Sequence, residues 1–162
     1  MRIGVISDTH IPRKSKALPQ ALVEGLRGVD LILHAGDISR DYVIYELEEI
    51  APVEAVAGNV DDDYLLDMLG RKKIISAGGI RIGLIHGDGS SGTTLQRVQK
   101  AFNGEPVHCI IFGHSHIPFS EWIEGVLYFN PGSPTDKRRE ANYSYGILEI
   151  HKDNIEASIK YF

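Results

Sequence analysis

A chain of 162 residues with 43% hydrophobic and 24% charged residues has the make-up of an ordinary globular protein, long enough to bury roughly 70% of the surface its unfolded form exposes. A net charge of −5 argues against broad nucleic-acid or anionic-membrane surfaces, which need clustered cations. The single cysteine, Cys109, rules out a disulfide within the chain, and no run of about 18 apolar residues is present to span a membrane.

The start at residues 1–8 lacks the apolar stretch and cleavage site of a signal peptide, so a cytoplasmic location is expected. With no repeat, low-complexity stretch or linker, residues 1–162 read as a single domain. In chain order, residues 2–7 form a short β-branched run that ends abruptly in Asp8-Thr9-His10. A helix is predicted over 18–26, carried by Leu22, Val23 and Leu26 and stopped at Gly28. Residues 30–33 form a second strand, ending in His34-Ala35-Gly36-Asp37. A helix over 39–50 opens with Ser39 as N-cap, repeats Val43, Ile44, Leu47 and Ile50 at helical spacing, and stops before Pro52. Residues 53–57 form a third strand ending in Gly58-Asn59. Asp61, Asp62 and Asp63 then open a short helix over 61–69, where carboxylates favour the positive end of the dipole.

The second half changes character. Residues 71–76 and 80–85 flank Ala77-Gly78-Gly79, a hairpin signal, and the second of them ends in His86-Gly87. A helix over 93–102 ends at Asn103-Gly104, and residues 108–112 run into Gly113-His114-Ser115-His116. Further hairpins join 119–123 to 126–129 through Glu124-Gly125, and 143–151 to 155–161 through Lys152-Asp153-Asn154. The alternation in the first half predicts parallel strands with right-handed crossovers. The hairpins predict an antiparallel or mixed second sheet packed against the first, with helices outside.

If the five interrupted strands share a sheet, their C-terminal ends share an edge, where open α/β proteins place their sites. That edge would hold Asp8, His10, Asp37, Asn59, His86, His114 and His116. In an extended segment residues two apart point to one side, so Asp8 with His10, and His114 with His116, can grip one ion each. Seven ligands exceed the three or so that one zinc-like ion takes, whereas two ions about 3.5–4 Å apart, sharing a carboxylate, use them all. Mixed His, Asp and Asn ligation points to two divalent first-row ions such as Mn, Ni, Fe, Co or Zn. Two such ions exceed the charge of Asp8 and Asp37, attract a phosphoryl group, and lower the pKa of bound water so that hydroxide can attack phosphorus in line.

The motifs DTH, GD, GN, HG and GHSH, in that order over about residues 1–135, resemble the calcineurin-like metallophosphoesterase superfamily, and within it the small bacterial and archaeal phosphodiesterases related to the retromer subunit Vps29. The resemblance implies an α/β fold, a four-layer αββα sandwich of two mixed β-sheets flanked by helices. It implies a metal-bridged hydroxide that hydrolyses the P–O bonds of a small-molecule phosphodiester. Asp8, His10 and His116 would hold the first ion, Asn59, His86 and His114 the second, with Asp37 bridging. Asp37, Asn59 and His34 are the candidate catalytic residues, His34 for proton transfer or for a packing role. Arg13 and Asn59 are the candidate substrate contacts, and Asn130-Pro131-Gly132-Ser133-Pro134 reads as a rigid turn or a loop beside the site.

One departure bears on mechanism. Many phosphatases of the superfamily place His directly after the Asn to aid leaving-group departure, but here Val60 stands there. Loss of a general acid typically forfeits about 10²–10⁴ in rate. Activity is therefore expected to be modest and best on diesters with good leaving groups. The rival is a non-catalytic, metal-loaded scaffold of the Vps29 type; a nuclease is disfavoured by the net acidity. A homo-oligomer is left open as a partner state. His108 and His151 are expected to be structural, Lys137-Arg138-Arg139 a solvated loop or a contact, and Tyr42, Tyr45 and Trp122 packing residues.

Overall fold

The computed structural model describes residues 1–152 and 154–162. The strands β1 (Arg2–Ile6), β2 (Leu31–His34) and β3 (Val53–Ala55) are parallel neighbours, and β9 (Ser144–His151) and β10 (Asn154–Tyr161) extend the sheet antiparallel beside β1, giving the order β10-β9-β1-β2-β3. The second sheet has the order β4-β5-β6-β8-β7, built from β4 (Lys72–Ala77), β5 (Ile80–Ile85), β6 (Cys109–Ile111), β7 (Phe119–Ile123) and β8 (Val126–Asn130). Here β5, β6 and β8 are parallel while β4 and β7 are antiparallel edges.

Two expectations change. The five interrupted strands do not share one sheet, because β1, β2 and β3 lie in the first and β5 and β6 in the second. The last hairpin joins the first sheet, where Leu148 and Ile150 complete the apolar inner face; its turn residue Asp153 lies outside the described residues.

Strand periodicity explains the layering. Ile3, Val5, Leu31 and Leu33 point inward and meet Ile82, Leu84, Cys109, Ile111, Leu127 and Phe129 of the opposite sheet. Ile6 and Ile32 face outward under α1 (Gln20–Gly25), α2 (Tyr42–Glu48) and α3 (Asp63–Leu69), against Leu22, Leu26, Val43, Leu47 and Leu65. On the other side Ile110 and Tyr128 pack under α4 (Thr94–Ala101) through Val98 and Phe102. The result is two mixed five-stranded sheets between helices, with each fully buried Leu or Ile worth about 1.5–3 kcal/mol. Because the sheets are stacked, the ends of β1, β2, β3, β5 and β6 still converge.

The helices are shorter than their periodicity suggests. Ser39 does not cap α2: its backbone turns to φ +80° and the cap passes to Asp41, whose side chain accepts from Tyr42 N. Asp62 caps α3 by accepting from Leu65 N, and Thr93 with Gln96 forms a capping box on α4. Trp122, Tyr45 and Tyr42 are exposed at 57%, 51% and 37%, not packed as expected. No helix among the described residues is long and apolar enough to cross a membrane.

Candidate metal centre

Each motif follows a strand end, but the segments are not extended as the two-residue spacing suggested. Asp8, His10, Asp37, His114 and His116 all take left-handed backbone, with φ between 46° and 67°. Such conformations are costly for residues with a Cβ and persist where surrounding contacts hold them. Those contacts are present: Asp8 N donates to Gly36 O at 2.9 Å and His10 N to Asp37 O at 3.0 Å. The turns include places where only glycine fits. A Cβ on Gly58 would lie 2.1 Å from Asp37 Oδ1, and one on Gly113 would lie 1.8 Å from Ser7 Oγ and 2.7 Å from Asp8 Oδ2.

The donor atoms face a common centre. His116 Nε2 lies 3.3 Å from Asp8 Oδ1, His10 Nε2 lies 3.8 Å from the same oxygen, and the two Nε2 atoms are 3.3 Å apart. Asp37 Oδ2 lies 3.3 Å from His86 Nε2 and 3.6 Å from His10 Nε2. Two groups of donors have the size of a cation site, Asp8 with His10 and His116, and Asp8 with Asp37 and His86. Both carboxylates therefore sit among the histidines, and Asp8 shares the central place that the sequence assigned to Asp37 alone. Asn59 and His114 stand at the open side, joined by a 3.1 Å contact between Asn59 Oδ1 and His114 Nδ1, with the His114 ring perpendicular to that of His86.

The donors are aimed from behind. His86 Nδ1 donates to Ala35 O at 2.7 Å, and the Asp136 carbonyl accepts from His116 Nδ1, so both rings turn Nε2 to the centre. Asp8 Oδ2 accepts from Ser7 Oγ at 2.6 Å and His114 N at 3.0 Å, while Asp37 Oδ1 accepts from Val60 N at 3.1 Å. Asp8 Oδ1 and His86 Nε2 are buried and have no hydrogen-bond partner. Buried polar atoms are nearly always paired, so these two fit a cation, and the His, Asp and Asn donor set suits divalent first-row ions.

In the metal-free chain the charges lean on one another. Burial pushes His86 down, but the Asp37 carboxylate 3.3 Å from its Nε2, together with the charge of Asp8, overcomes this and lifts it to about 9. Burial raises Asp37, yet His86 and the Val60 N–H bring it to about 2. At pH 7 His86 thus carries a proton that an incoming ion must displace. Affinity for Mn²⁺ is expected to rise about tenfold per pH unit from 7 towards 9. Calorimetric titration in buffers of different ionisation heat should register proton release at pH 7, and release of none would contradict the assignment.

His34 falls outside this constellation. It is fully buried, Nδ1 accepts from Gly36 N at 3.2 Å, Nε2 contacts Thr9 Oγ1 at 3.1 Å, and burial holds its pKa down at about 3. It braces the turns after β1 and β2, and both nitrogens are committed, which fits the packing role and not proton transfer. Arg13 lies exposed on the rim of a cleft of about 560 Å³ that His10 and Val60 also line.

Sequence reasoning misassigned one support and gave the other only as one of two readings. Asp61 does not cap α3; its carboxylate accepts from Asp37 N at 3.0 Å, Ser39 N at 2.6 Å and Gly58 N at 2.8 Å. Asp61→Ala leaves three backbone donors without a partner, and an unfolding-free-energy loss of about 2–4 kcal/mol is expected in urea melts. The second support is the loop after β8. Ser133 Oγ donates to Asp8 O at 2.8 Å, Thr135 Oγ1 to Thr9 O at 2.6 Å, and Asn130 Nδ2 to Gly113 O at 2.8 Å, tying the DTH and GHSH turns together. The polar residues around the prolines of Asn130-Pro131-Gly132-Ser133-Pro134 were the available signal.

Residues 1–153 match the calcineurin-like phosphoesterase superfamily domain. The chain belongs to that superfamily. It is 38% identical to a probable metallophosphoesterase of Methanothermobacter thermautotrophicus over 98% of this chain and 91% of the relative. It is 27% identical to a phosphodiesterase of Methanocaldococcus jannaschii over 82% of this chain and 83% of that one. Among solved structures, a single mutant of Vps29 from Entamoeba histolytica superposes with a TM-score of 0.81 at 24% identity, covering 100% of this chain and 99% of the other. That last likeness establishes the fold of this calcineurin-like phosphoesterase domain: two mixed sheets between helices.

Proposed function

We propose that this calcineurin-like domain hydrolyses phosphodiesters, with two divalent cations from the series Mn, Ni, Fe, Co and Zn as cofactors. The observation that carries the reading is the convergence of Asp8 Oδ1, Asp37 Oδ2 and the Nε2 atoms of His10, His86 and His116, two of them buried without a partner. Asp8, His10 and His116 would hold one ion, and Asn59, His86 and His114 the other, with Asp37 reaching both. Bound there, the ions supply Lewis-acid charge for the phosphoryl oxygens and a lowered pKa for bound water.

The chain's own residues do the rest. Asn59 and His114, on the open side, orient the phosphoryl group, and Arg13 offers a cation to its charge. Val60 lines the same cleft and has no proton to give, so the leaving group departs as an anion and good leaving groups are favoured. The likeness to the Methanocaldococcus phosphodiesterase supports a diester substrate. Hydrolysis of bis-p-nitrophenyl phosphate by protein stripped with chelator and reloaded with each of the five ions tests the proposal. Turnover restored by at least one ion is expected, and none with any ion would overturn it. Metal binding without turnover is the outcome expected of a scaffold of the Vps29 type.

A further inference from the structure

Beside the cleft over the metal centre lies a smaller pocket of about 190 Å³, lined by Pro12, Arg13, Ser39, Arg40 and Val60. Arg13 and Val60 line both depressions, so the two adjoin, and His10 on the cleft side links the pair to the ligands. The small pocket carries two guanidinium groups and no acidic lining residue, on a chain whose net charge is −5. Arg13 has no ion-pair partner among the described residues. Arg40 donates to Ser39 O at 2.9 Å, and its ion pair with Asp62, exposed on both sides and 3.7 Å long, is of the kind that contributes little. The Ser39 hydroxyl is buried and has no hydrogen-bond partner. Buried hydroxyls ordinarily have one. Ser39 itself is fixed by its N–H to Asp61 and by left-handed backbone at φ +80°.

An unpaired guanidinium, a second one with donors to spare beyond Ser39 O and Asp62, and an unsatisfied hydroxyl form a set of donors short of acceptors. A phosphate supplies acceptors for all three, and planar guanidinium forks match its oxygens. Val60 stands between the two depressions, at the position where many superfamily members have His, and gives an apolar divide between two anions. We propose that the pocket of Arg13, Ser39 and Arg40 receives a second phosphate of the substrate, so that the preferred substrates are diesters carrying a further phosphate group. This inference rests on the diesterase reading above, which names no substrate beyond the diester bond.

The test compares thymidine 5′-(4-nitrophenyl phosphate) with the same diester phosphorylated at its 3′ oxygen, using protein reloaded with Mn²⁺. A kcat/KM higher by about tenfold or more is expected for the phosphorylated diester. The ratio should fall towards one in Arg40→Gln and drop in Ser39→Ala, a substitution that breaks no hydrogen bond and so should leave folding intact. Cleavage of both diesters at equal kcat/KM by the wild-type protein overturns the inference while leaving the diesterase reading standing, as does an unchanged ratio in both variants. If neither diester is cleaved, the reaction assignment fails, and the pocket is judged by calorimetric binding. Thymidine 3′,5′-bisphosphate should then bind at least about tenfold tighter than thymidine 5′-monophosphate, with the difference lost in Arg40→Gln. Equal affinities would overturn the pocket assignment.

Discussion

Asp37→Ala is expected to lower kcat/KM on bis-p-nitrophenyl phosphate by at least about 10³-fold, roughly 4 kcal/mol of transition-state stabilisation, while far-UV circular dichroism stays that of the wild type. Asp37 Oδ2 stands between His86 at 3.3 Å and His10 at 3.6 Å, so its removal takes charge from both halves of the centre. The fold loses less. Oδ1 holds only the Val60 N–H, a bond worth about 1 kcal/mol. Asp37→Asn separates the two effects, because it keeps an acceptor for Val60 and discards the charge; activity should stay low while stability recovers. An active Asp37→Ala protein would mean that Asp8, common to both donor groups, carries the bridge alone.

Val60→His is expected to act in the opposite direction. Val60 is partly buried and lines the cleft that His10 and Arg13 share, so an imidazole placed there faces the departing group. A positioned general acid contributes typically about 10²–10⁴-fold, and its benefit grows as the leaving group becomes poorer. The gain should be smallest on p-nitrophenyl diesters, whose leaving group needs no proton, and reach about 10²-fold on alkyl diesters. The slope of log kcat/KM against leaving-group pKa, which flattens if the histidine donates, measures this. An unchanged slope would show that the position does not address the leaving oxygen.

Much of this was legible in the sequence because strand ends and their polar residues are local signals. Asp8, His10, Asp37, His86 and His116 could be found from motif and spacing, and the structure brings their donor atoms together. Two stacked sheets were legible from the hairpins, but the sheet that each strand joins was not, since nothing in the short runs of β1 or β5 states which neighbour they will pair with. Only the balance of apolar faces across the stack decides that, as it decides that β9 and β10 close the first sheet. The left-handed turns at the ligands escaped because Asp and His carry no marker for φ as glycine does. Asp61 was misread for a related reason. Three adjacent aspartates at a helix start all suit the dipole, but only Asp62 caps, and the three N–H groups that occupy Asp61 come from residues up to 24 positions away. His34 looked chemical because it lies next to chemistry; its two nitrogens are consumed by Thr9 and Gly36.

The division of donors between the layers has a mechanical meaning. Asp8, His10, Asp37 and Asn59 leave the first sheet, whereas His86, His114 and His116 leave the second. Any cation gripped by Asp8 and His116, or by Asp37 and His86, is therefore a rivet through both halves of the sandwich. Loading should slow amide hydrogen exchange in β1 and β6 in concert, and stripping should let the halves breathe together, so that under the proposed function ion supply would govern how long the chain resists proteolysis as well as its turnover.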